Sequence, residues 1–185
     1  MGLRPRDMQQ QFAEDEPFVS ASNTPAGPQP IHVARQSESC AISVNPVGSL
    51  RWSGGDLDGD HLICVVSERA PSDYLAMLPE TSISYIVVGE SSVDLVQAVS
   101  LLGEPSGIRT LLLEGGGHIN SGFLEAGLID EVGLLLVPGI EGRHDVAAVF
   151  DGVAPSNHTA VPLRVKSVDE REGDAQWIRY EVVRP

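Results

Sequence analysis

An α/β fold with a largely parallel sheet is predicted for this 185-residue chain by three observations. First, apolar runs rich in β-branched residues alternate with segments of about ten residues whose apolar side chains recur at helical spacing. Second, several runs are continuously apolar, as in strands covered by helices on both faces. Third, two extended runs separated by a turn close the sequence, which predicts a C-terminal antiparallel hairpin.

The order of elements follows from these patterns. A Gln run and a Ser- and Pro-rich stretch predict a poorly structured segment over 1–30, followed by one folded domain over 31–185. Strands are predicted at 31–34, 40–44, 61–67, 83–88, 108–114, 130–138, 162–168 and 175–183. Helices are predicted after Pro71 with Tyr74, Leu75 and Leu78 inside, over 93–102 with Val93, Val96 and Leu101 inside, and after Gly117, while 54–60 is predicted to be a polar loop.

Composition excludes several classes of protein. The chain holds 12 Lys and Arg against 26 Asp and Glu, a net charge of −14, which argues against a nucleic-acid partner because phosphate backbones need a basic surface. No apolar stretch approaches the roughly 18 residues of a membrane span, and the first residues lack the apolar run expected of a secretory signal. We therefore expect no membrane association and a cytoplasmic location. Cys40 and Cys64 lack metal or disulfide spacing and are expected to be two buried thiols.

The sharpest motif is a leucine-rich strand that ends in Glu114 and runs into Gly115, Gly116 and Gly117. Glycine allows a tight turn and a close approach of a ligand to the main chain. The following helix start offers free N–H groups and a positive dipole end, which suit a phosphate or diphosphate. A tight strand-to-helix turn without a ligand explains the glycines equally well. The spacing is neither G-x-G-x-x-G nor that of a P-loop.

The stretch TLLLEGGGHINSGFLEAGLIDEVGLLLVPGIEGR resembles the C-terminal reductase domain of the bifunctional deaminase–reductase of riboflavin biosynthesis (RibD), a dihydrofolate-reductase-like family. The resemblance extends over about 40–183 and includes DHLICVVSERAPSDYLAML and ISYIVVGESSVDL. It implies an NADPH-dependent reductase with a twisted, mostly parallel sheet flanked by helices. Its substrate would be a small ribosylamino-pyrimidine, reduced by hydride transfer to C1 of the sugar, and a homodimer is expected.

The resemblance also implies site residues. In this family the Gly-rich turn holds the dinucleotide diphosphate, here Gly115, Gly116 and Gly117, and the segment Ser67–Arg69 faces the adenosine 2′-phosphate. Arg69 would pair with that phosphate and Ser67 would hydrogen-bond it, although a solvated surface cation explains Arg69 equally well. Glu114 is favoured as a substrate contact over a cap of the turn, because a carboxylate that ends an apolar run is costly without a partner. No catalytic residue and no metal ligand is predicted.

One part of the family pattern is missing. The family's opening S-L-D-G-x-I loop is absent, and Gly2–Arg6 match its G-R-x-T turn only loosely. The chain is therefore expected to lack a central strand and the helix after it. A start set too far downstream, a catalytically silent homologue, and a dimer that covers the gap remain as explanations. The alternative function is thus a non-catalytic dinucleotide-binding or interaction protein.

The remaining candidates favour structural roles. None of the five histidines forms H-x-E, H-x-x-x-H or H-E-x-x-H, and the zinc deaminase signature is absent. The acidic run 56–60 is expected to be a plain turn rather than a calcium loop. Trp52 and Trp177 could stack on a ligand ring, but Trp177 is expected to lie in the core or a dimer interface.

Overall fold

The structure is a computed structural model, and it describes residues 31–103, 107–140, 142, 144, 146–152 and 160–184. The predicted segment 1–30 lies outside these residues. The contact pattern divides the chain into two compact units, Met1–Thr110 and Leu111–Pro185. The chain is a mixed α/β protein with parallel strands, flanking helices and a C-terminal antiparallel hairpin, as predicted.

The first unit is built on a five-stranded sheet. Its strands are β1 (Ile31–His32), β2 (Cys40–Val44), β3 (Asp56–Leu57), β4 (Asp60–Val66) and β5 (Ser84–Val87). The order is β1-β5-β4-β2, with β2, β4 and β5 parallel, and β3 forms a short hairpin with the start of β4. The continuous apolar run of β4 is buried on both faces, as predicted for a central strand.

Helix α1 (Ser72–Glu80) covers one face of this sheet. Pro71 precedes it in an extended conformation, where its missing N–H costs no helical hydrogen bond. Tyr74, Leu75 and Leu78 are buried, which confirms the predicted helical face. Together with Trp52 and the alternate residues Leu62, Cys64 and Val66 of β4, they form one core cluster.

Helix α2 (Leu95–Gly103) covers the opposite face. The Oδ1 atom of Asp94 accepts a hydrogen bond from the backbone N–H of Gln97 at 2.9 Å and so caps the helix start. Ala98 and Leu102 are the buried residues, whereas Val96 is 57% exposed. The predicted inward position of Val96 is therefore wrong, because the helix turns the face of Ala98 and Leu102 to the sheet.

The second unit contains helix α3 (Gly117–Glu125) and the antiparallel strands β6 (Glu131–Leu136), β7 (Leu163–Glu170) and β8 (Gln176–Val182) in the order β6-β8-β7. Gly127 adopts φ +69° just after α3, and the N–H of Leu128 returns to the carbonyl of Phe123, which ends the helix. The hairpin of β7 and β8 is confirmed. Strand β6 pairs with β8 in this sheet rather than with a parallel neighbour.

The predicted strand over 108–114 is not formed. The exposed and half-buried side chains alternate from 111 to 116, as in an extended segment, and Leu112 is 78% exposed. No strand among the described residues pairs with this segment. The apolar pattern alone did not produce a strand here, because a strand needs a hydrogen-bonded neighbour.

Candidate functional site

The first part of the candidate site is the turn that leaves β4. The hydroxyl of Ser67, which is fully buried, donates to the carbonyl of Pro46 at 2.7 Å and accepts from the backbone N–H of Arg69 at 3.3 Å. The backbone N–H of Glu68 donates to the carbonyl of Gly89, which follows β5. Both ends of this turn are thus anchored to neighbouring strand ends. The hydroxyl of Ser67 is used to hold the turn.

Arg69 and Glu68 are both exposed. The guanidinium of Arg69 forms no ion pair with any other residue in the described part of the chain. The turn therefore presents a positive charge to solvent at the carboxyl edge of a parallel sheet, the edge where α/β proteins bind ligands.

The second part of the site is the glycine turn that leads into α3. Gly116 is the N-cap residue of α3, with φ −68° and ψ 171°, and no side chain caps the helix. The first intrahelical bond runs from the N–H of Asn120 to the carbonyl of Gly116. No side chain of a described residue caps the N–H groups of this first turn, and the helix dipole favours an anion there, although Gly117 itself is buried.

The three glycines have different surroundings. None of them has a positive φ, so left-handed backbone is not the reason for glycine here. A Cβ on Gly115 would collide with Ile119, and a Cβ on Gly117 would lie 2.7 Å from the carbonyl oxygen of Ala148. A Cβ on Gly116 would meet no heavy atom within 4 Å. Packing therefore explains two of the glycines, and only Gly116 opens onto free space.

A segment that the sequence analysis missed packs against this turn. Residues 148–152, here called the strap, lie along the first turns of α3. The N–H of Asp151 donates to the carbonyl of Gly117 at 3.0 Å, and the side-chain Nδ2 of Asn120 donates to the carbonyl of Val149 at 2.8 Å. The strap fixes one side of the glycine turn. The only sequence signal for it was the small residue at Gly117.

Glu114 has an exposed side chain directly before the glycine turn. Ser67 and Arg69 belong to the first unit, and Glu114, Gly115, Gly116 and Gly117 belong to the second. Within each unit the predicted residues lie together on one turn. Each turn by itself suits an anion: the second unit offers an open glycine at an uncapped helix start, and the first unit offers a guanidinium with no ion pair among the described residues.

The other candidates take structural roles. Trp52 is buried and its indole Nε1 donates to the hydroxyl of Tyr74 at 3.2 Å, so it is not available to stack on a ligand. Burial raises the pKa of the Cys64 thiol to about 12. Both cysteines are free thiols, but Cys40 is only half-buried. Trp177 is 38% exposed rather than part of the core of its unit, and the guanidiniums of Arg171 and Arg179 lie 4.8 Å and 5.4 Å from its ring centroid.

The acidic run 56–60 forms a turn around its own backbone. The Oδ1 atom of Asp56 accepts from the N–H of Gly59 at 2.9 Å. Among the described residues there is no cluster of His, Cys, Asp or Glu that could hold a metal ion. The described helices are also all too short or too polar to cross a membrane.

The fold and the site define an α/β protein with a Gly-rich turn at a helix start, and comparison with known proteins makes this specific. The RibD C-terminal domain family matches residues 42–177, and the chain belongs to that family. The predicted resemblance is therefore confirmed.

Two curated relatives carry the same name, 2,5-diamino-6-ribosylamino-4(3H)-pyrimidinone 5′-phosphate reductase. The protein from Aquifex aeolicus is 34% identical over 90 residues, which is 49% of this chain and 40% of that protein. The protein from Methanothermobacter thermautotrophicus is 38% identical over 87 residues, which is 47% of this chain and 39% of that protein. The matches thus span about two fifths of the length of these relatives.

A solved structure shares the fold. The pyrimidine reductase-like protein from Corynebacterium diphtheriae aligns with a TM-score of 0.65 at 18% identity, over 78% of this chain and 61% of that protein. At this identity the similarity concerns the fold alone.

Proposed function

We propose that this chain is an oxidoreductase domain of riboflavin biosynthesis that binds NADPH and acts on a ribosylamino-pyrimidine 5′-phosphate. The observation that carries the proposal is the combination of an open Gly116 with an uncapped helix start directly after it. Membership of the RibD C-terminal domain family and the names of the two curated relatives support this class of reaction.

The cofactor would be held mainly by backbone and by one cation. The free N–H groups at the start of α3 would donate to the diphosphate, which would occupy the space beside Gly116. Gly115 and Gly117 would hold the turn in shape through their packing on Ile119 and the strap. NADPH supplies the hydride when bound, so the protein contributes position and electrostatics.

The choice of NADPH over NADH would rest on the turn after β4. The exposed guanidinium of Arg69 forms no ion pair with a described residue and would pair with the adenosine 2′-phosphate. Ser67 would contribute by fixing the backbone of Arg69, since its hydroxyl already bonds Pro46 and the N–H of Arg69. Glu68 is exposed and would point away from the phosphate.

Substrate recognition would involve Glu114. Its exposed carboxylate lies next to the glycine turn and would accept hydrogen bonds from amino or imino groups of the pyrimidine.

A cytoplasmic homodimer is part of this proposal. Exposed apolar side chains on β6 and β7, including Leu135, Val165 and Val168, support a partner surface in the second unit.

The test is calorimetric titration with NADPH followed by an assay of NADPH oxidation with the pyrimidine substrate. Binding together with turnover is the expected result. Absence of NADPH binding to folded protein would overturn the proposal, and binding without turnover would favour a non-catalytic homologue. Light scattering during size-exclusion chromatography reports the oligomeric state, and a monomer would contradict the homodimer.

A further inference from the structure

His61 lies at the amino end of β4, on the sheet face opposite α1 and away from the candidate cofactor turn that follows the carboxyl end of β4. It is 1% exposed and borders a cavity of about 20 Å³, which has room for about one water molecule. The connection between β1 and β2, residues 33–39, here called the β1–β2 connection, forms part of the cavity lining. The proposed reductase function uses none of these groups.

Three groups surround the imidazole ring. The Nε2 atom lies 2.7 Å from the hydroxyl oxygen of Ser84. The Nδ1 atom lies 3.0 Å from Nε of Arg35 and 3.2 Å from the carbonyl oxygen of Gly55. Arg35 can only donate and Gly55 can only accept, so Nδ1 satisfies one of them in each protonation state.

The guanidinium selects the tautomer of the neutral ring. Because Arg35 presents an N–H to Nδ1, this nitrogen accepts, and the proton resides on Nε2, which donates to Ser84. The carbonyl of Gly55 still has a hydrogen-bond donor in this state, because it accepts from the N–H of Leu62 at 3.0 Å. The neutral ring therefore binds the β1–β2 connection through Arg35.

Protonation reverses the preference of Nδ1. A protonated ring donates from Nδ1 to Gly55 and from Nε2 to Ser84, and it leaves the N–H of Arg35 facing another donor with a like charge. Arg35 keeps its exposed ion pair with Asp56 at 3.1 Å, and Asp56 lies on β3, opposite His61 in the pairing of β3 with β4. Such an exposed pair contributes little to stability, so it does not restrain the β1–β2 connection.

The charges around His61 support this direction. Burial lowers the pKa of His61, the hydrogen bond to the carbonyl of Gly55 raises it, Arg35 lowers it, and Asp56 raises it, with a net lowering. Helix α2 packs further along the same face and carries no charged residue. The other polar or titratable groups at the cavity and its rim are His32 on β1, Gln36 and Ser37 on the β1–β2 connection, Cys40 on β2, Asp60 on β4, and Ser84 and Tyr85 on β5.

We propose that His61 is a proton-operated latch, whose neutral ring holds Arg35 and the β1–β2 connection on the sheet and whose protonated ring exchanges Arg35 for the carbonyl of Gly55. Release of the connection opens the cavity and exposes Cys40, which lines it. Ala34 loosens with Arg35, although its N–H is also bound to the hydroxyl of Ser84 at 2.9 Å.

The first test is NMR of the whole chain. Imidazole ¹⁵N shifts of His61 are expected to show the Nε2–H tautomer at neutral pH and protonation with a midpoint below that of an ordinary histidine. The hydrogen-exchange rates of the backbone amides at 33–37, corrected for intrinsic rates, are expected to rise about tenfold as the pH falls through that midpoint. A rise of this size corresponds to the loss of one net hydrogen bond together with the local packing around it. A neutral ring protonated on Nδ1, or corrected exchange independent of pH, would overturn the proposal.

Variants distinguish the latch from a general loosening of the structure at acid pH. His61→Phe is expected to remove the pH dependence of exchange at 33–37, and His32→Phe, which alters the half-buried histidine stacked on Tyr85, is the matched control that keeps it. Arg35→Met is expected to raise the midpoint of His61 and to give fast exchange at every pH. An unchanged midpoint in Arg35→Met contradicts the latch even where His61→Phe does not fold.

Discussion

The side chain of Asn120 in α3 donates from Nδ2 to the backbone carbonyl of Val149 at 2.8 Å, across 29 residues of sequence. This bond and the one from the N–H of Asp151 to the carbonyl of Gly117 fasten the strap to the start of α3. The glycine turn therefore owes its shape to residues far along the chain as well as to its own composition.

Asn120→Ala is expected to lower the free energy of unfolding by about 1 kcal/mol, because the carbonyl of Val149 loses its donor. Urea denaturation measures this change. His118→Ala, at an exposed position in the first turn of the same helix, is the control and should change stability by less than about 0.5 kcal/mol. Equal losses in the two variants would show that the bond to Val149 contributes nothing.

Gly116→Ala and Gly117→Ala are expected to separate binding from packing. Gly117→Ala forces a methyl group against the strap and should cost about 1–3 kcal/mol of stability. Gly116→Ala meets no atom, and as an N-cap change it should cost at most about 1 kcal/mol, yet it should abolish or strongly weaken NADPH binding. Urea midpoints and calorimetric titration check the two effects.

Gly139→Ala is the matched control for Gly116→Ala. Gly139 lies in the same unit, has no positive φ and has no atom within 4 Å of a built Cβ. The Gly139→Ala variant should keep the free energy of unfolding and the NADPH affinity of the parent chain. Full NADPH affinity in a folded Gly116→Ala variant would show that the diphosphate does not bind beside Gly116.

Arg69→Ala is expected to weaken NADPH binding about tenfold and to leave NADH binding unchanged, because only NADPH carries the 2′-phosphate that the guanidinium would pair with. The ratio of the two dissociation constants measures the effect. Arg164→Ala on β7 serves as the control, because it also removes an exposed guanidinium, one that pairs with Glu181. An equal loss for both dinucleotides would place Arg69 away from the 2′-phosphate.

Tyr74→Phe is expected to cost about 1–3 kcal/mol, since it leaves two buried donors without their acceptor. These donors are Nδ2 of Asn45 at 3.1 Å and Nε1 of Trp52 at 3.2 Å from the hydroxyl. Thermal unfolding measures the loss. Tyr85→Phe is the control, since no hydrogen bond of its hydroxyl to a described residue is present, and a similar loss there would contradict the role of the Tyr74 network.

His61 also makes stability depend on pH. Burial lowers its pKa in the folded state below the ordinary value of 6.5, so the unfolded chain binds the proton more readily. The contribution is fully present above about pH 6.5 and is lost as the pH falls through the folded pKa. Urea midpoints measured from pH 8 to pH 5 should fall for the parent chain and fall less for His61→Phe. Parallel curves would assign the acid sensitivity to other groups.

Local patterns predicted most of the elements because each pattern reflects burial against a neighbour. The continuous run of β4 and the spacing of Tyr74, Leu75 and Leu78 correspond to faces that are buried in the structure. The two-residue strand β3 was missed because Asp56 and Leu57 carry no period of their own and pair only through the turn to β4.

The candidate site was predicted only in part. The glycine turn and Arg69 were visible as residue types, but the different roles of Gly115, Gly116 and Gly117 depend on Ile119 and the strap. The contacts of His61 with Arg35 and Ser84 join residues that are 26 and 23 positions apart in the sequence. Such long-range contacts leave no periodic signal in one sequence, so they become visible only with coordinates.

Each unit contains one of the two tryptophans. Trp52 is buried beside Cys64 and Tyr74, whereas Trp177 is partly exposed and lies under two guanidiniums. Their indole emission should differ in colour and in yield, so Trp177→Phe and Trp52→Phe each leave a single optical reporter for one unit. Comparing the two melting curves would reveal whether the halves of the chain lose structure as one cooperative body or in succession.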